Sequence, residues 1–170
     1  MKKLVYVAFA IFAFTSCQQQ KIGFIDNGKV INDYQEKKDI EEKYKVKDEV
    51  FKKRTDSIGQ AFQVEAQAFQ AKANKMSQKK AQEAYEGLMQ KQQMLQQQIQ
   101  MEQQQISQAF QAEIDSTIVK VKDFVKDYGK TNGYTYILGT SDGASSVLFG
   151  TEENDLSQTI IEALNAEYKK

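Results

Sequence analysis

The stretch from Lys29 to Lys130 constrains the fold more than any other feature, because it contains almost nothing that ends a helix. The chain has no proline, the residue that removes a backbone N–H and clashes with the preceding helical turn. Between Lys29 and Tyr128 the only glycines are Gly59 and Gly87. Glutamine, lysine, glutamate and alanine dominate this stretch, and all four are good helix formers. We therefore predict that residues 29–130 are helical.

Apolar residues recur every three or four positions in two successive parts of this stretch. In the first part they are Val50, Phe51, Ile58, Phe62, Ala66, Phe69, Ala73 and Met76, and in the second Leu88, Leu95, Ile99, Ile106, Phe110, Ile114, Ile118, Val121, Val125 and Tyr128. Each set forms a narrow stripe on a helix, which suits a seam between two helices better than a broad globular core. The pattern predicts two long helices packed against each other.

A turn near residues 72–77 joins the two predicted helices. One straight helix over residues 29–130 would be about 150 Å long and would leave its apolar stripe without a partner. Asn74 tolerates a left-handed conformation, and Ser77 can cap the following helix. The sequence therefore predicts an antiparallel helical hairpin, similar to a coiled coil, with its tip near residues 72–77.

The segment from Gln90 to Gln105 reads QKQQMLQQQIQMEQQQ and permits three interpretations: a disordered tract, a self-associating glutamine segment, or one side of a helix. Leu95, Ile99 and Ile106 continue the apolar stripe through it, which favours the helix. Gln92 and Glu102 occupy positions at which the stripe predicts apolar residues. We therefore expect loose packing at these two positions.

Short strands and a final helix flank the predicted hairpin. The predicted elements are a strand at residues 21–26 with a turn at 26–28, a helix stop at 131–133, strands at 134–138 and 146–150 joined by a turn at Asp142-Gly143, and a helix from Asp155. The fold class is thus α+β, mostly α, with a small β-body formed by residues 21–28 and 131–170. Because three strands and one helix provide little core, we expect several copies to assemble, as a dimer or a trimer.

The first 17 residues have the pattern of an export signal. Lys2 and Lys3 precede an apolar stretch from Leu4 to Phe14, which is too short to span a bilayer. Small residues before Cys17 resemble the lipobox of bacterial lipoproteins, in which this cysteine is acylated. An ordinary signal peptide with an incidental cysteine is the alternative. A lone cysteine in an exported chain cannot form an internal disulfide, so the sequence predicts lipidation at Cys17.

The composition argues against an enzyme. The chain has no histidine, the commonest general base, its only cysteine lies in the export signal, and no glycine-rich phosphate loop is present. We predict no catalytic residues, metal site or cofactor. Without Lys2 and Lys3 the 23 basic side chains fall to 21 against 23 acidic ones, a net charge of −2, so specific nucleic-acid binding is not expected either.

The chain resembles the Skp/OmpH family of periplasmic chaperones for outer-membrane proteins in three segments. These are Lys21–Asp26, Tyr134–Leu138 and Asn154–Ile161. The resemblance covers nearly all of the chain after the export signal and rests mainly on the order strand, hairpin, strand, strand, helix. It implies a trimer in which the helical hairpins extend from a small β-body and surround a cavity. In that cavity the family holds unfolded outer-membrane proteins without ATP. Family members known for this role are often basic and soluble, whereas this chain is neutral and carries a lipidation signal.

A chaperone of this kind requires adaptable contacts with apolar segments of many sequences. The candidate contact residues are Phe62, Phe69, Met76, Met89, Met94, Met101 and Phe110, because methionine is flexible and aromatic rings add apolar surface. The alternative is that these side chains only pack the two arms together. Lys72, Lys75, Lys79 and Lys80 form a basic patch at the tip, which either touches an anionic membrane surface or only keeps the tip soluble.

The leading functional hypothesis is therefore an ATP-independent periplasmic holdase for unfolded outer-membrane proteins. The alternative is a structural coiled-coil lipoprotein that spaces or tethers envelope layers. Such a spacer would need a tighter heptad seam and no terminal strands. The strands predicted after residue 131 favour the holdase.

Overall fold

The computed structural model describes residues 20–141, 143 and 146–169. The predicted export signal, Cys17 and Asp142 lie outside the described residues. The elements in chain order are β1 (Ile22–Asp26), α1 (Asn27–Asp33), α2 (Gln35–Ala73), α3 (Gln78–Thr131), β2 (Tyr136–Thr140), a short 3₁₀ turn (Glu152–Asn154) and α4 (Ser157–Tyr168). The described part of the chain is therefore mostly helical with a small β region, as the sequence predicts.

The described residues fall into two compact units. Residues up to Tyr34 and from Val119 onwards form one unit, which we call the body, and residues 35–118 form the other, which we call the hairpin. The body is larger than the predicted segments 21–28 and 131–170, because it includes α1 and the last turns of α3. These helical residues supply core side chains such as Val30 and Val121.

The sheet of the body consists of β1 and β2, which run parallel with Ile22 opposite Tyr136 and Asp26 opposite Thr140. Strand β2 begins two residues later than the predicted strand 134–138. Parallel neighbours need a long crossover connection, and helices α1, α2 and α3 provide it. The sheet is therefore not built on a hairpin at Asp142-Gly143.

The predicted third strand, residues 146–150, is wrong: this segment is not a strand. The free edge of β1 is taken instead by the chain just before α4, where the Leu156 N–H donates to the Phe24 carbonyl at 2.8 Å. Residues 146–150 thus find no strand partner among the described residues of the same chain. Leu148 and Phe149 remain 93% and 86% exposed.

The sequence also predicts a turn at residues 26–28, but helix α1 begins there instead. The Asp26 carboxylate accepts the Lys29 N–H at 3.0 Å, so the residue that suggested a turn is the N-cap of α1. The helical stretch then breaks at Tyr34, whose ψ of 124° is extended. Tyr34 is buried and its ring meets Tyr168 of α4 with centroids 5.9 Å apart. Burial of this ring places α1 against α4.

The core of the body is a single apolar cluster. It comprises Ile25, Val30, Tyr34, Val121, Leu156, Ile160, Ile161 and Leu164. Ile160 and Val30 are fully buried. Ser157 is also fully buried, and its hydroxyl accepts the backbone N–H of Asp26 at 2.9 Å. This bond fixes the start of α4 beside the end of β1.

Helix α3 ends where the sequence predicts, around residues 131–133. Gly133 has a φ of +70°, a left-handed conformation that glycine adopts without a steric cost. The following Tyr134 N–H donates to the Gly129 carbonyl at 2.9 Å. The glycine therefore terminates the helix and turns the chain toward β2.

The hairpin has the predicted turn between two long arms. Helix α2 has 39 residues and α3 has 54, which correspond to about 58 Å and 81 Å at 1.5 Å per residue. The Lys75 N–H donates to the Lys72 carbonyl at 2.9 Å, and the Met76 N–H donates to the Ala73 carbonyl at 3.1 Å. Asn74 does not adopt the expected left-handed conformation, since no described residue other than glycine has a positive φ. Hydrogen bonds of the 3₁₀ type close the turn without it.

The seam between the arms repeats every 11 residues. On α2, Ile40, Phe51, Phe62 and Ala73 are spaced by 11, and all are buried or half-buried. On α3 the same spacing relates two sets of half-buried or buried residues: Leu88, Ile99 and Phe110, and Leu95, Ile106 and Thr117. Eleven residues span about three turns of an α-helix, so these side chains stay on one side. The glutamine-rich segment therefore lies on a continuous helix with one side in the seam.

Candidate binding surface on the helical hairpin

Three ion pairs join the arms at regular intervals along the seam. Lys43 pairs with Glu113, Arg54 with Glu102, and Glu65 with Lys91. Successive partners are 11 residues apart on each arm, which is the same interval as the apolar repeat. Glu102, expected to disturb the seam, is therefore half-buried beside a basic partner from the other arm.

The pair nearest the start of the arms is part of a small hydrogen-bonded cluster. The Lys43 ammonium donates to both Glu113 oxygens at 2.7 and 2.8 Å, and the Tyr44 hydroxyl donates to Glu113 Oε1 at 2.8 Å. The bonds from Lys43 and Tyr44 lower the pKa of Glu113 below its ordinary value of 4.5. Burial and the Glu113 bond raise the pKa of Tyr44. The two donors thus stabilise the ionised form of the Glu113 side chain.

Replacing Glu113 with glutamine should reduce the stability of the hairpin at neutral pH. Because the folded-state pKa of Glu113 is lowered, its contribution is complete above the ordinary carboxyl pKa and is lost as pH falls through the lower folded-state value. The melting curves of wild type and Glu113→Gln should therefore converge on acidification. Circular dichroism melts at several pH values would show this. Glu83→Gln serves as the control, and a wild-type-to-variant difference that stays constant with pH would contradict the expectation.

Each arm contains a stretch whose only charged residue takes part in a cross-arm ion pair. Between Gln92 and Ala112 of α3 the only charged residue is Glu102, which pairs with Arg54. Between Ser57 and Ala71 of α2 the only charged residue is Glu65, which pairs with Lys91. The remaining outward side chains there are mainly glutamine, alanine, serine, valine and methionine. The uncharged stretch of α3 is about 30 Å long, whereas the part of α2 opposite its second half, between Lys43 and Arg54, contains Lys45, Lys47, Lys52 and Lys53.

One side of the hairpin carries exposed apolar side chains on both arms, next to charged residues of α2 such as Lys47 and Lys53. On α2, Val46, Val50 and Val64 are spaced by nearly whole helical turns and are 50%, 60% and 65% exposed. On α3, Met94 and Met101 are two turns apart and are 61% and 59% exposed. We call this side the valine–methionine face.

A groove shows that the valines and the methionine side of α3 belong to one face. Its volume is about 450 Å³, and it is lined by Val46, Lys47, Val50, Phe51 and Arg54 from α2 and by Glu102, Gln105, Ile106 and Ala109 from α3. Gln105 lies one turn beyond Met101, on the same side of α3. The groove therefore continues along the helix surface toward the two exposed methionines.

The opposite side of the hairpin has a different character. A second groove of about 430 Å³ lies there, and its α2 wall is mostly charged. The lining residues are Glu41, Tyr44, Lys45, Asp48, Glu49, Lys52, Ile106, Ser107 and Phe110. Ile106 borders both grooves and separates them. The α2 wall of this groove thus has more charged residues than that of the first groove, which includes Lys47 and Arg54.

The seven candidate contact residues divide between the seam and the surface. Phe62, Phe69 and Phe110 are half-buried in the seam, where the Phe110 ring meets Tyr44 at 5.2 Å and the Phe69 ring meets Tyr85 at 6.3 Å. Met76 and Met89 are each 37% exposed, whereas Met94 and Met101 are far more accessible. Packing between the arms thus occupies the phenylalanines and leaves mainly these two methionines for outside contacts.

Sequence reasoning missed Val46 and Val64, and it assigned Val50 to the seam stripe, whereas this side chain is 60% exposed. Their signal was present, since Val46, Val50 and Val64 are offset from the seam positions Tyr44, Phe51 and Phe62 and follow their own helical spacing. A second apolar stripe on a helix that already has a packed stripe indicates a surface free for another partner.

The basic patch lies at the tip, as its sequence position requires. Lys72 lies in the last turn of α2, Lys75 in the connecting turn, and Lys79 and Lys80 in the first turn of α3. All four side chains are exposed, and none forms an ion pair with a described residue.

Within residues 20–141, 143 and 146–169 no cluster of potential metal ligands occurs, and no helix is long and apolar enough to cross a membrane.

The architecture defines a class of binding protein: a helical hairpin that presents an extended surface, in a chain whose other residues form a small α/β body. Comparison with known proteins gives the family. Over residues 21–164 the sequence matches the family described as "Outer membrane protein (OmpH-like)". The chain therefore belongs to the OmpH-like family, which confirms the resemblance predicted from the sequence.

A solved structure supports the fold. A protein of Caulobacter crescentus CB15, described as a proposed outer membrane chaperone (OmpH-like), superposes with a TM-score of 0.76 at 15% sequence identity. The match covers 87% of this chain and 85% of the Caulobacter chain. At this identity the likeness establishes the fold. Comparison with curated proteins gives no match.

Proposed function

We propose that the protein is an ATP-independent holdase chaperone of the periplasm, which binds unfolded outer-membrane proteins and prevents their aggregation. The observation that carries the proposal is the valine–methionine face, an exposed apolar surface on a member of the OmpH-like family. Exposed apolar side chains in contiguous rows are costly in water unless a partner covers them. Unfolded barrel proteins expose apolar segments that match such a surface.

The side chains of this face suit many client sequences. Met94 and Met101 are unbranched and adapt their shape to different neighbours. Holding a client requires contacts that are weak one by one, so that the client is released when it folds elsewhere. The mobile, exposed methionine side chains meet this requirement better than a rigid aromatic pocket would.

The exposed segment at residues 146–150 supports self-association, and the resemblance to the Skp/OmpH family implies that the assembly is a trimer. Leu148 and Phe149 are the most exposed large apolar side chains of the described chain, at 93% and 86%. Two such neighbours in a small body would be covered if the segment packed against the body of another copy. We propose that assembly surrounds a client-binding cavity with several hairpins.

We also propose a membrane-bound location, which two features support. Acylation of Cys17 would anchor the protein firmly, since more than one acyl chain gives a stable membrane attachment. The four exposed lysines of the tip are suited to anionic lipid headgroups. Cell fractionation of Cys17→Ser tests the anchor: the variant should leave the membrane fraction, and retention there would contradict lipidation.

The holdase proposal is tested by an aggregation assay. A urea-unfolded outer-membrane β-barrel protein is diluted into buffer with or without the purified protein, and light scattering is followed. A molar excess of the protein should suppress scattering without ATP. Scattering that is unchanged by the protein would refute the holdase function.

A further inference from the structure

We infer that the lipid anchor holds one particular end of the body against the headgroup layer of the bilayer. This is the end at which both strands begin, and we call it the strand-start end. It is formed by Lys21, Asn132, Tyr134 and Thr135. The inference rests on the proposed acylation of Cys17 and adds to it the surface that contacts the membrane.

The first step is the length of chain between the anchor and the fold. Lys21 is only four residues after Cys17, and four residues span at most about 14 Å in any conformation. The headgroup layer of each leaflet is about 5–8 Å thick. Because the acyl chains lie in the hydrocarbon core, an acylated Cys17 keeps Lys21 within about two headgroup layers of the bilayer.

The second step is that Lys21 is fixed to the body. Its carbonyl accepts the Thr135 N–H at 2.8 Å, and its ammonium donates to the Asn132 carbonyl at 3.1 Å. The same ammonium lies 4.0 Å from the centroid of the Tyr134 ring. These contacts join Lys21 to the loop that follows α3. The anchor therefore holds this loop near the bilayer together with Lys21.

The direction of the strands determines which end is held. Strands β1 and β2 are parallel, so both begin at the same end of the sheet, with Ile22 opposite Tyr136. From Ile22 to Asp26 the strand rises about 13 Å at 3.3 Å per residue. The last residues of the two strands, Asp26 and Thr140, therefore lie farther from the anchor than the first.

The side chains of the strand-start end suit lipid headgroups better than acyl chains. Thr131, Asn132 and Thr135 are exposed, and their hydroxyl and amide groups can donate hydrogen bonds to phosphate oxygens. The Lys21 ammonium has three N–H donors and gives one of them to the Asn132 carbonyl. The partner of this surface is therefore the phosphate layer of the bilayer.

The charges of this end do not select anionic lipids. Lys130 pairs with Asp127 at 3.4 Å. Lys21 and Glu153 line the same groove, which has a volume of about 440 Å³, and Glu152 is exposed beside Glu153. Basic side chains are thus not in excess, and we expect the contact to form on zwitterionic lipid as well as on anionic lipid.

The experiment places one tryptophan at either end of β1 in the full-length, acylated protein. The chain contains no tryptophan, so each variant has a single fluorophore. Thr135→Trp reports on the strand-start end. Lys29→Trp is the matched control, because Lys29 is exposed and follows Asp26 at the far end of the strand. Mass spectrometry verifies the acyl chains, and circular dichroism verifies the fold.

Both variants are reconstituted in phosphatidylcholine vesicles with or without a nitroxide on the choline headgroup, which quenches tryptophan at short range. Thr135→Trp should lose emission in the nitroxide vesicles, and Lys29→Trp should keep it. A flexible insert of about twelve glycine and serine residues between Gln19 and Gln20 should restore the emission of Thr135→Trp, because it lengthens the tether. Addition of anionic lipid should not change the result.

Four results would overturn the inference while leaving the anchor intact. They are equal quenching of the two tryptophans, quenching of neither, quenching that survives the insert, and quenching that requires anionic lipid. A blue-shifted but unquenched Thr135→Trp would show that a second copy of the chain covers this end instead. A full-length protein without acyl chains on Cys17 would refute the proposed anchor itself.

Discussion

Replacing Ile160 with alanine should lower the free energy of unfolding of the body by about 2–5 kcal/mol. Ile160 is fully buried at the centre of the apolar cluster, so the truncation removes buried methyl groups and leaves a cavity. Urea unfolding measures the loss. Val119→Ala is the control, because this side chain is 55% exposed in the same unit and its truncation should cost less than about 0.5 kcal/mol. Equal effects of the two substitutions would contradict the assigned core.

The variant Leu148→Asp/Phe149→Asp should convert the proposed trimer to monomers. Each copy would lose the burial of two large apolar side chains, worth about 1.5–3 kcal/mol apiece, and would have to bury two carboxylates instead. Analytical ultracentrifugation gives the mass of both proteins in solution. Because both side chains are more than four-fifths exposed in the single chain, the fold of each copy should survive.

The control for this experiment is Ser146→Asp, which adds charge to the same exposed segment without removing an apolar side chain. It should assemble as wild type does. A wild-type protein that sediments as a monomer would contradict self-association. An aspartate double variant that keeps the wild-type mass would instead exclude residues 146–150 from the interface.

The long helices and their turn were predictable from local chemistry. Absence of proline, good helix formers and an apolar stripe on each arm all favour the same structure, so no distant contact had to be known. The turn near residue 74 also followed, although 3₁₀-type hydrogen bonds close it rather than a left-handed Asn74. Local signals were sufficient because helix hydrogen bonds are themselves local.

The strands were harder to predict because a strand depends on its partner. Residues 146–150 have strand-forming side chains, yet the edge of β1 is occupied at Phe24 by the chain before α4. Similarly, Asp26 suggested a turn but caps a helix whose buried Val30 is held by α4 and the rest of the body core. Propensity cannot distinguish these outcomes, since distant residues decide them.

The candidate surface was predicted in part. Sequence reasoning selected Met94 and Met101, which are exposed, but grouped them with phenylalanines that fill the seam. It also predicted loose packing of the seam at Glu102, whereas this side chain forms an ion pair with Arg54 of the other arm. Pairing across the arms requires the register of the hairpin, and that register follows only from the folded structure. This pairing leaves α3 without free charge between Gln92 and Ala112.

The most direct test of the account is a titration of client binding by fluorescence. The protein contains no tryptophan, so the tryptophan emission of a urea-diluted outer-membrane β-barrel protein reports on the client alone. We predict a saturable change in client emission without ATP, and a client that stays soluble at saturation. No change in emission, with precipitation of the client at the same rate as in buffer, would contradict the account.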